Sequence, residues 1–367
     1  MKICIDARPV SEHMHGISRY AFNLIKQLAS IDQHHEYFIL ARSDHRLFSE
    51  LPSNFTVQGC AVPNYSLTEQ FVIPRLLKKE SVDLFHSSTY SAPVLQFCKT
   101  VVTIHDLIPL VFPHHYGWRH AIYYKHIVRR ALHKAQRIIT VSHSSKRDLM
   151  KYFNLNPSEI VVVHNGVDER FKPDSSGLSK KTVSELISTE DPFILSVVNN
   201  KPHKNISALI EAFNKASAHM QTFCKLVIVG IKKKDGLKNI PEERMGRLIC
   251  LPKVTDEQLI ALYQNAALLV LPSLYEGFCL PVLEAMACGA PVITSHVSSL
   301  PEVAGDATIL VDPNNIDELA EAIYNVLAFE DLQEGLKTKG IRQAKRFSWQ
   351  ETARKTLKIY KEVMSLE

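Results

Sequence analysis

The chain has 367 residues, 46% of them hydrophobic and 22% charged, with a formal net charge of +5. This is the composition of a globular protein with two ordinary domains, each able to bury a core. No run approaches the roughly 18 apolar residues that signal a membrane-spanning helix. The start, Met1-Lys2-Ile3-Cys4-Ile5-Asp6, has too short an apolar stretch for a secretory signal. Seven cysteines at irregular spacing, without C-x-x-C, favour buried thiols in a reducing compartment. The cytoplasm is the expected location. Charge is uneven: 21 lysines and arginines face 14 acids up to residue 173, against 22 and 24 beyond it, and fourteen of the 17 histidines lie in the first part. A basic half suggests an anionic partner.

In chain order, residues 2–7 read as a buried strand, the polar residues from Pro9 to Gly16 as a loop, and 17–28 as a helix with Ile17, Tyr20, Leu24 and Leu28 on one face. Strands follow at 37–41, 55–60, 84–85, 100–104, 137–141 and 160–163. Helices are expected at 68–79, 115–135 and 143–153. This alternation predicts a parallel sheet covered by helices. The polar stretch Pro173–Glu190 reads as the crossing to a second domain. The pattern then restarts: strands 193–197, 225–229, 248–251 and 266–271, helices 205–219 and 255–264, and later helices at 315–327 and 331–345. Ser348-Trp349-Gln350-Glu351 resembles a capping box opening a last helix to about 364. The expected architecture is α/β, two Rossmann-like domains in series with a pocket between them.

One stretch organises the rest, Leu271 to Pro301. A buried strand gives way to the turn Glu276-Gly277-Phe278-Cys279, and a helix begins near Pro281, a residue suited to a first helical turn. Gly289-Ala290-Pro291 ends that helix before strand 292–294. The loop stands at a strand's C-terminal end, where open parallel sheets bind ligands. Backbone N–H groups of Phe278, Cys279, Leu280 and Val282, around Pro281, which has none, would face an anion at the helix start. Two carboxylates, Glu276 and Glu284, frame it. Donors for phosphate and carboxylates for hydroxyls suit a nucleotide-sugar, although two acids near a helix start also simply complement its dipole.

Glu276-Gly277-Phe278, Pro281 and Glu284 resemble the E-x7-E motif of retaining glycosyltransferases of family 4, which have the GT-B fold, and Ala285 to Val292 resembles the motif's continuation. Other segments resemble the same family: His86; Thr103-Ile104-His105-Asp106-Leu107; Thr140-Val141-Ser142; Asn165-Gly166-Val167-Asp168; and Lys204-Asn205. Coverage is essentially the whole chain. The resemblance implies a GT-B fold, with residues 1–172 and the returning helix 348–367 as acceptor domain and 173–347 as donor domain, facing across a cleft. It implies that Glu276 faces the donor sugar, Glu284 bonds the ribose, His105 hydrogen-bonds the sugar, and the segment around Val254 holds the base. Pro252 stands where the family commonly has glycine, and proline offers no N–H donor there.

Further residues add to this. Gly16, before helix 17–28, allows close backbone approach to a phosphate; the family often has Gly-Gly where this chain has His15-Gly16. Lys204 reads as a cation at a helix N-terminus, electrostatically misplaced unless a diphosphate shares the space. Its removal should therefore leave the unliganded protein no less stable. Lys201 and His203 are both open as a second phosphate cation. The absence of D-x-D, of G-x-G, of a P-loop and of paired helical histidines argues against a metal site, a dehydrogenase and an NTPase; no cofactor or metal is expected.

The basic run Arg129-Arg130, His133-Lys134, Arg137, Lys146-Arg147 and Lys151, flanked by Tyr123-Tyr124 and Tyr152-Phe153, reads either as a solvated face or as a footing on the anionic inner face of a membrane. Nucleic acid is not expected as a partner. The sequence thus predicts a metal-independent retaining hexosyltransferase using Glu276, His105 and Lys204. Its substrates would be a nucleotide-sugar, GDP-mannose by resemblance with UDP- and dTDP-sugars open, and a glycan or lipid-linked acceptor in surface polysaccharide or glycolipid assembly. The alternatives are an epimerase or phosphorylase on the same fold, and a non-catalytic nucleotide-sugar-binding protein.

Overall fold

The computed structural model describes residues 1–11, 15–42, 46–220, 223–232 and 246–365; residues 12–14 of the expected Pro9–Gly16 loop lie outside these. The chain forms two compact units, Met1–Gly166 with Ser348–Glu367, and Val167–Phe347.

The first unit is a seven-stranded sheet, parallel throughout, in the order β3-β2-β1-β4-β5-β6-β7. Its strands are β1 Lys2–Asp6, β2 Glu36–Ala41, β3 Phe55–Gly59, β4 Leu84–Ser87, β5 Lys99–Ile104, β6 Arg137–Thr140 and β7 Ile160–Val162. Ile3, Ile5, Leu40, Phe85, Val102 and Ile138 are fully shielded. Such continuous apolar runs are what strands covered on both faces require. Helix Gly16–Ile31 buries Tyr20, Leu24 and Leu28, as its period predicts. The expected helix 115–135 is broken instead. Helices Trp118–Tyr123 and Arg129–Lys134 flank the π-turn Tyr124–Val128, and Ile108–Val111 is a separate turn.

Helix Trp349–Ser365 belongs to this first unit, packed against helix 16–31. It is tied in by a wholly buried polar chain. Tyr360 Oη lies 2.5 Å from His86 Nδ1, His86 Nε2 lies 2.8 Å from Thr103 Oγ1, and Thr103 Oγ1 lies 2.9 Å from Tyr20 Oη. The chain reaches the helix by a close passage: a Cβ on Gly166 would stand 2.0 Å from the Trp349 nitrogen, so only glycine fits.

The second unit is a six-stranded parallel sheet, β10-β9-β8-β11-β12-β13. Its strands are β8 Phe193–Val197, β9 Lys225–Val229, β10 Leu248–Leu251, β11 Leu268–Leu271, β12 Val292–Ser295 and β13 Ile309–Val311. Two expectations are corrected. Pro173–Glu190 is not an open crossing, because it contains helix Ser179–Ile187, which packs on helix Asp256–Asn265 through an Asn265–Ser179 hydrogen bond of 2.7 Å. Residues 167–172 join the second unit: Arg170 pairs with Asp256 at 2.9 Å, and the Phe171 and Tyr263 rings meet at 6.0 Å.

Candidate active site

In the second sheet the chain winds one way from β8 and the other way from β11, so these neighbours mark the topological reversal where open α/β sheets take ligands, beyond their carboxyl ends. Both key loops leave there. After β8 the chain runs to the 3₁₀ turn Pro202–Lys204; after β11 it runs through Ser273 and Glu276 to helix Leu280–Cys288. Lys204 Nζ reaches Glu276 Oε1 at 2.6 Å, and Ser273 Oγ donates to the same oxygen at 2.7 Å. Leu274 N–H donates to His203 O at 2.8 Å, joining the two loops through their backbones as well. The Glu276 peptide is pinned on both sides: its N–H donates to Ser298 Oγ and its carbonyl accepts from Ser299 Oγ, each at 2.9 Å.

This corrects the reading of Lys204. It lies in the 3₁₀ turn ahead of helix Ile206–Ser217, separated from it by Asn205 in the left-handed region. Its compensating charge is the Glu276 carboxylate, not a bound anion alone.

Helix 280–288 starts as the sequence predicts, with Pro281 in its first turn and no side-chain cap. Pro281 itself offers no N–H, so donors at this terminus come from its neighbours. Cys279 takes φ +74 at the junction, a conformation costing a non-glycine residue about 1–3 kcal/mol. Its thiol is pushed up by burial and by Glu276. The side chains of Phe278, Leu280 and Val282 are buried; any contact they make with a donor is through the backbone. Glu284 is 5% exposed and accepts from Tyr263 Oη at 3.0 Å. Tyr263 escaped the sequence reading because it sits on the apolar face of helix 256–265, indistinguishable there from core. Ser273, Ser298 and Ser299 were missed as ordinary loop residues. Val254 lies half-buried between β10 and that helix, with Pro252 exposed.

Gly230, after β9, takes φ +98, and a Cβ there would stand 1.8 Å from Val198 O beyond β8. At Gly16 a Cβ would meet nothing among the described residues within 4 Å, so neither packing against these nor a positive φ demands glycine at that helix start. His105 ends the β5 edge of the first unit. Its Nε2–H donates to Ser88 O at 2.9 Å, which leaves the lone pair of the neutral ring on Nδ1. The Tyr20 ring stands edge-on at 4.7 Å. Burial lowers the His105 pKa to about 4, against the pull of the Ser88 bond. Asp106 Oδ1 caps Ile108 N–H at 3.0 Å. His86 is inside the core, lowered to about 3 by burial, and is structural.

The basic run is divided. Lys125, Arg129, Arg130 and Lys134, with two histidines and Val94, line a groove of about 620 Å³. Lys146 instead ties down the carbonyls of Pro157 and Ile160 at 2.8 and 2.7 Å, and Tyr124 is fully buried; neither belongs to a docking face. No helix among the described residues is long and apolar enough to cross a membrane.

Two Rossmann-like units with this loop–helix site define the GT-B class of glycosyltransferase, and solved structures agree on the fold. A glycosyltransferase from Rickettsia africae aligns over 100% of this chain and 99% of its own at TM-score 0.75 and 21% identity. HepE from Anabaena, solved with UDP and glucose, aligns over 99% and 100% at TM-score 0.77 and 17% identity. The family models "Glycosyl transferases group 1" and "Glycosyltransferase Family 4" match residues 179–343 and 14–171. The chain belongs to this group 1/family 4 of glycosyltransferases. Among its curated relatives, the O-antigen chain mannosyltransferase B of Escherichia coli is 28% identical over 98% of this chain and 100% of that protein. The serotype-specific mannosyltransferase WbdA of E. coli is 33% identical over 70% of this chain but only 32% of its own length.

Proposed function

We propose that this glycosyltransferase moves mannose from GDP-mannose, with retention and without a metal ion, to a glycan or lipid-linked acceptor in surface polysaccharide assembly. The observation that carries the reading is the Lys204–Glu276 pair beside the Tyr263-held Glu284, at the carboxyl edge shared by β8 and β11. The mannosyltransferase names of the relatives favour the sugar; UDP- and dTDP-sugars are the rival donors.

In this reading the bond from the anomeric carbon to the diphosphate oxygen breaks with its electron pair going to phosphate. The acceptor hydroxyl attacks the oxocarbenium-like sugar from the same face and passes its proton to the departing diphosphate oxygen. Lys204 Nζ divides its contacts between Glu276 and the departing diphosphate, and first-turn N–H groups of helix 280–288 take its other oxygens. One such preorganised donor is worth roughly 3–4 kcal/mol where it has been removed from other enzymes. Glu284, held by Tyr263, accepts from the ribose hydroxyls.

The test is a donor screen for nucleoside diphosphate release, with and without excess EDTA, and the product's anomeric configuration read by NMR. GDP-mannose should turn over undiminished by chelation, with the α-configuration kept. Inversion, or EDTA-abolished turnover restored by Mn²⁺, overturns the mechanism. Nucleotide-sugar conversion without acceptor points to an epimerase.

The membrane footing is part of the same proposal. Loop 92–98 lies between the basic groove and helix Glu69–Lys79, to which Val94 N–H is bonded through Gln70 Oε1 at 2.8 Å. Leu95, Phe97 and Phe71 are each more than half exposed, and Lys78 stands 5.4 Å over the Phe97 ring. Apolar side chains ringed by cations suit an anionic bilayer surface. Sedimentation with phosphatidylglycerol vesicles but not phosphatidylcholine vesicles, lost in Arg129→Glu/Arg130→Glu, is expected; equal binding to both removes the electrostatic footing.

A further inference from the structure

The first sheet has its own reversal, between β1 and β4, and Ser88 Oγ bonds Asp6 O there at 2.5 Å, tying the two strand exits together. Three charged residues are buried at this edge. Arg8 Nε and a terminal guanidinium nitrogen hold Asp6 at 2.8 and 2.6 Å, and that terminal nitrogen reaches Glu69 at 3.3 Å. None of the three is more than 1% exposed. A buried ionic cluster is a poor source of stability compared with apolar packing, so its geometric consequence matters more.

That consequence is the fixing of one surface aromatic ring. Glu69 accepts from Ser91 Oγ and, at 2.8 Å, from Tyr123 Oη. Ser91 Oγ in turn accepts the Tyr65 N–H at 3.2 Å. Tyr65 takes φ +63, a true outlier for a bulky residue and a cue to function when the surroundings over-determine it. Its ring lies on Tyr90 at 4.5 Å with 17° between planes, and the Tyr123 ring stands edge-on at 6.3 Å. The Tyr65 phenol is raised by burial and by Tyr90. Yet the residue is 40% exposed. The burial around the hydroxyl and the exposure of the residue together leave ring surface toward water.

We propose that Tyr65 is a stacking platform for a pyranose ring. The electron-rich ring face attracts the polarised C–H bonds on a sugar's apolar side. Calling that sugar the acceptor rests on the glycosyltransferase reading above; the platform itself does not. The ion cluster, Ser91 and Tyr123 are positioning residues that hold the ring.

Saturation-transfer NMR with methyl α-D-mannopyranoside and an α-linked mannobiose tests the platform without turnover. The parent protein should transfer saturation mainly to the C–H protons of one sugar face. Tyr65→Ala should weaken that transfer at least fivefold, and Tyr65→Phe should keep it, because the ring and not the hydroxyl is used. If Tyr65→Ala does not fold, Tyr65→Leu, apolar but not flat, should show the same loss. Unchanged transfer in the Ala or Leu variant, or none in the parent with either sugar, overturns the platform. Melting shifts with GDP are measured on the same samples and should be equal in the parent and the Tyr65 variants. Absence of any GDP shift counts against the donor reading alone and leaves the platform to the NMR result.

Discussion

Lys204 and Glu276 form a 2.6 Å ion pair between loops that leave neighbouring strands, with the two side chains 14% and 9% exposed. The pair couples the cation expected to meet phosphate to the carboxylate expected to meet sugar, so neither can be altered without disturbing the other.

Lys204→Ala should therefore be less stable without ligand, contrary to what a misplaced helix cation would give. Leaving the Glu276 carboxylate with Ser273 but without its cation should cost about 1–3 kcal/mol, read as a lower denaturation midpoint. The melting shift produced by saturating GDP should fall to a small fraction of the parent's, with Lys204→Arg recovering part of it. A full shift in Lys204→Ala would place the phosphates elsewhere.

Tyr263→Phe removes the 3.0 Å hydroxyl contact to Glu284. Donor KM should rise severalfold with kcat little changed, the signature of lost uniform binding. Glu284→Ala should raise it further. A drop in kcat at constant KM in either variant would move Glu284 from the ribose to the reacting centre.

Stability should fall on mild acidification. Burial holds His86 near 3 and His105 near 4 in the fold, against about 6.5 in the unfolded chain. Between those values the unfolded state binds more protons, so stability rises with pH and is lost as pH falls from about 6.5 toward 3. For fully buried His86 the whole loss is on the order of 3–5 kcal/mol. Denaturant unfolding at pH 7 and pH 5 should show a smaller difference in His86→Gln than in the parent.

Two glycines should behave oppositely. Gly166→Ala drives a Cβ into the Trp349 backbone and should cost about 3 kcal/mol or more. Gly16→Ala meets nothing among the described residues, so stability should change by no more than about 0.5 kcal/mol. If a phosphate packs on that helix start, donor turnover should fall all the same; unaltered turnover would remove Gly16 from the site.

Strands 193–197, 225–229 and 248–251 could be read to the residue, because an apolar run bounded by polar turns has little else to become in a βα alternation. Helix 179–187 could not: only Val183 and Ile187 are buried on it, and Ser, Lys and Thr make up most of the rest. Strand 309–311 is too short for a period to show. Helix 115–135 ran as one pattern, since a π-turn shifts the register without altering composition. In the site, Glu276, Glu284 and Lys204 stood out through local motifs. Their partners did not, because Tyr263 and Ser298 arrive from other elements, and the Tyr360 that meets His86 is 274 positions away.

That last distance bears on synthesis. The ribosome delivers Val167–Phe347 as one uninterrupted stretch, so the second unit has all its own strands before helix 349–365 emerges. Until that helix arrives, the first unit waits with His86 lacking Tyr360 and the inner face of helix 16–31 uncovered. The half of the protein made first is the half finished last, and during that interval its unfinished core is open to chaperones and proteases.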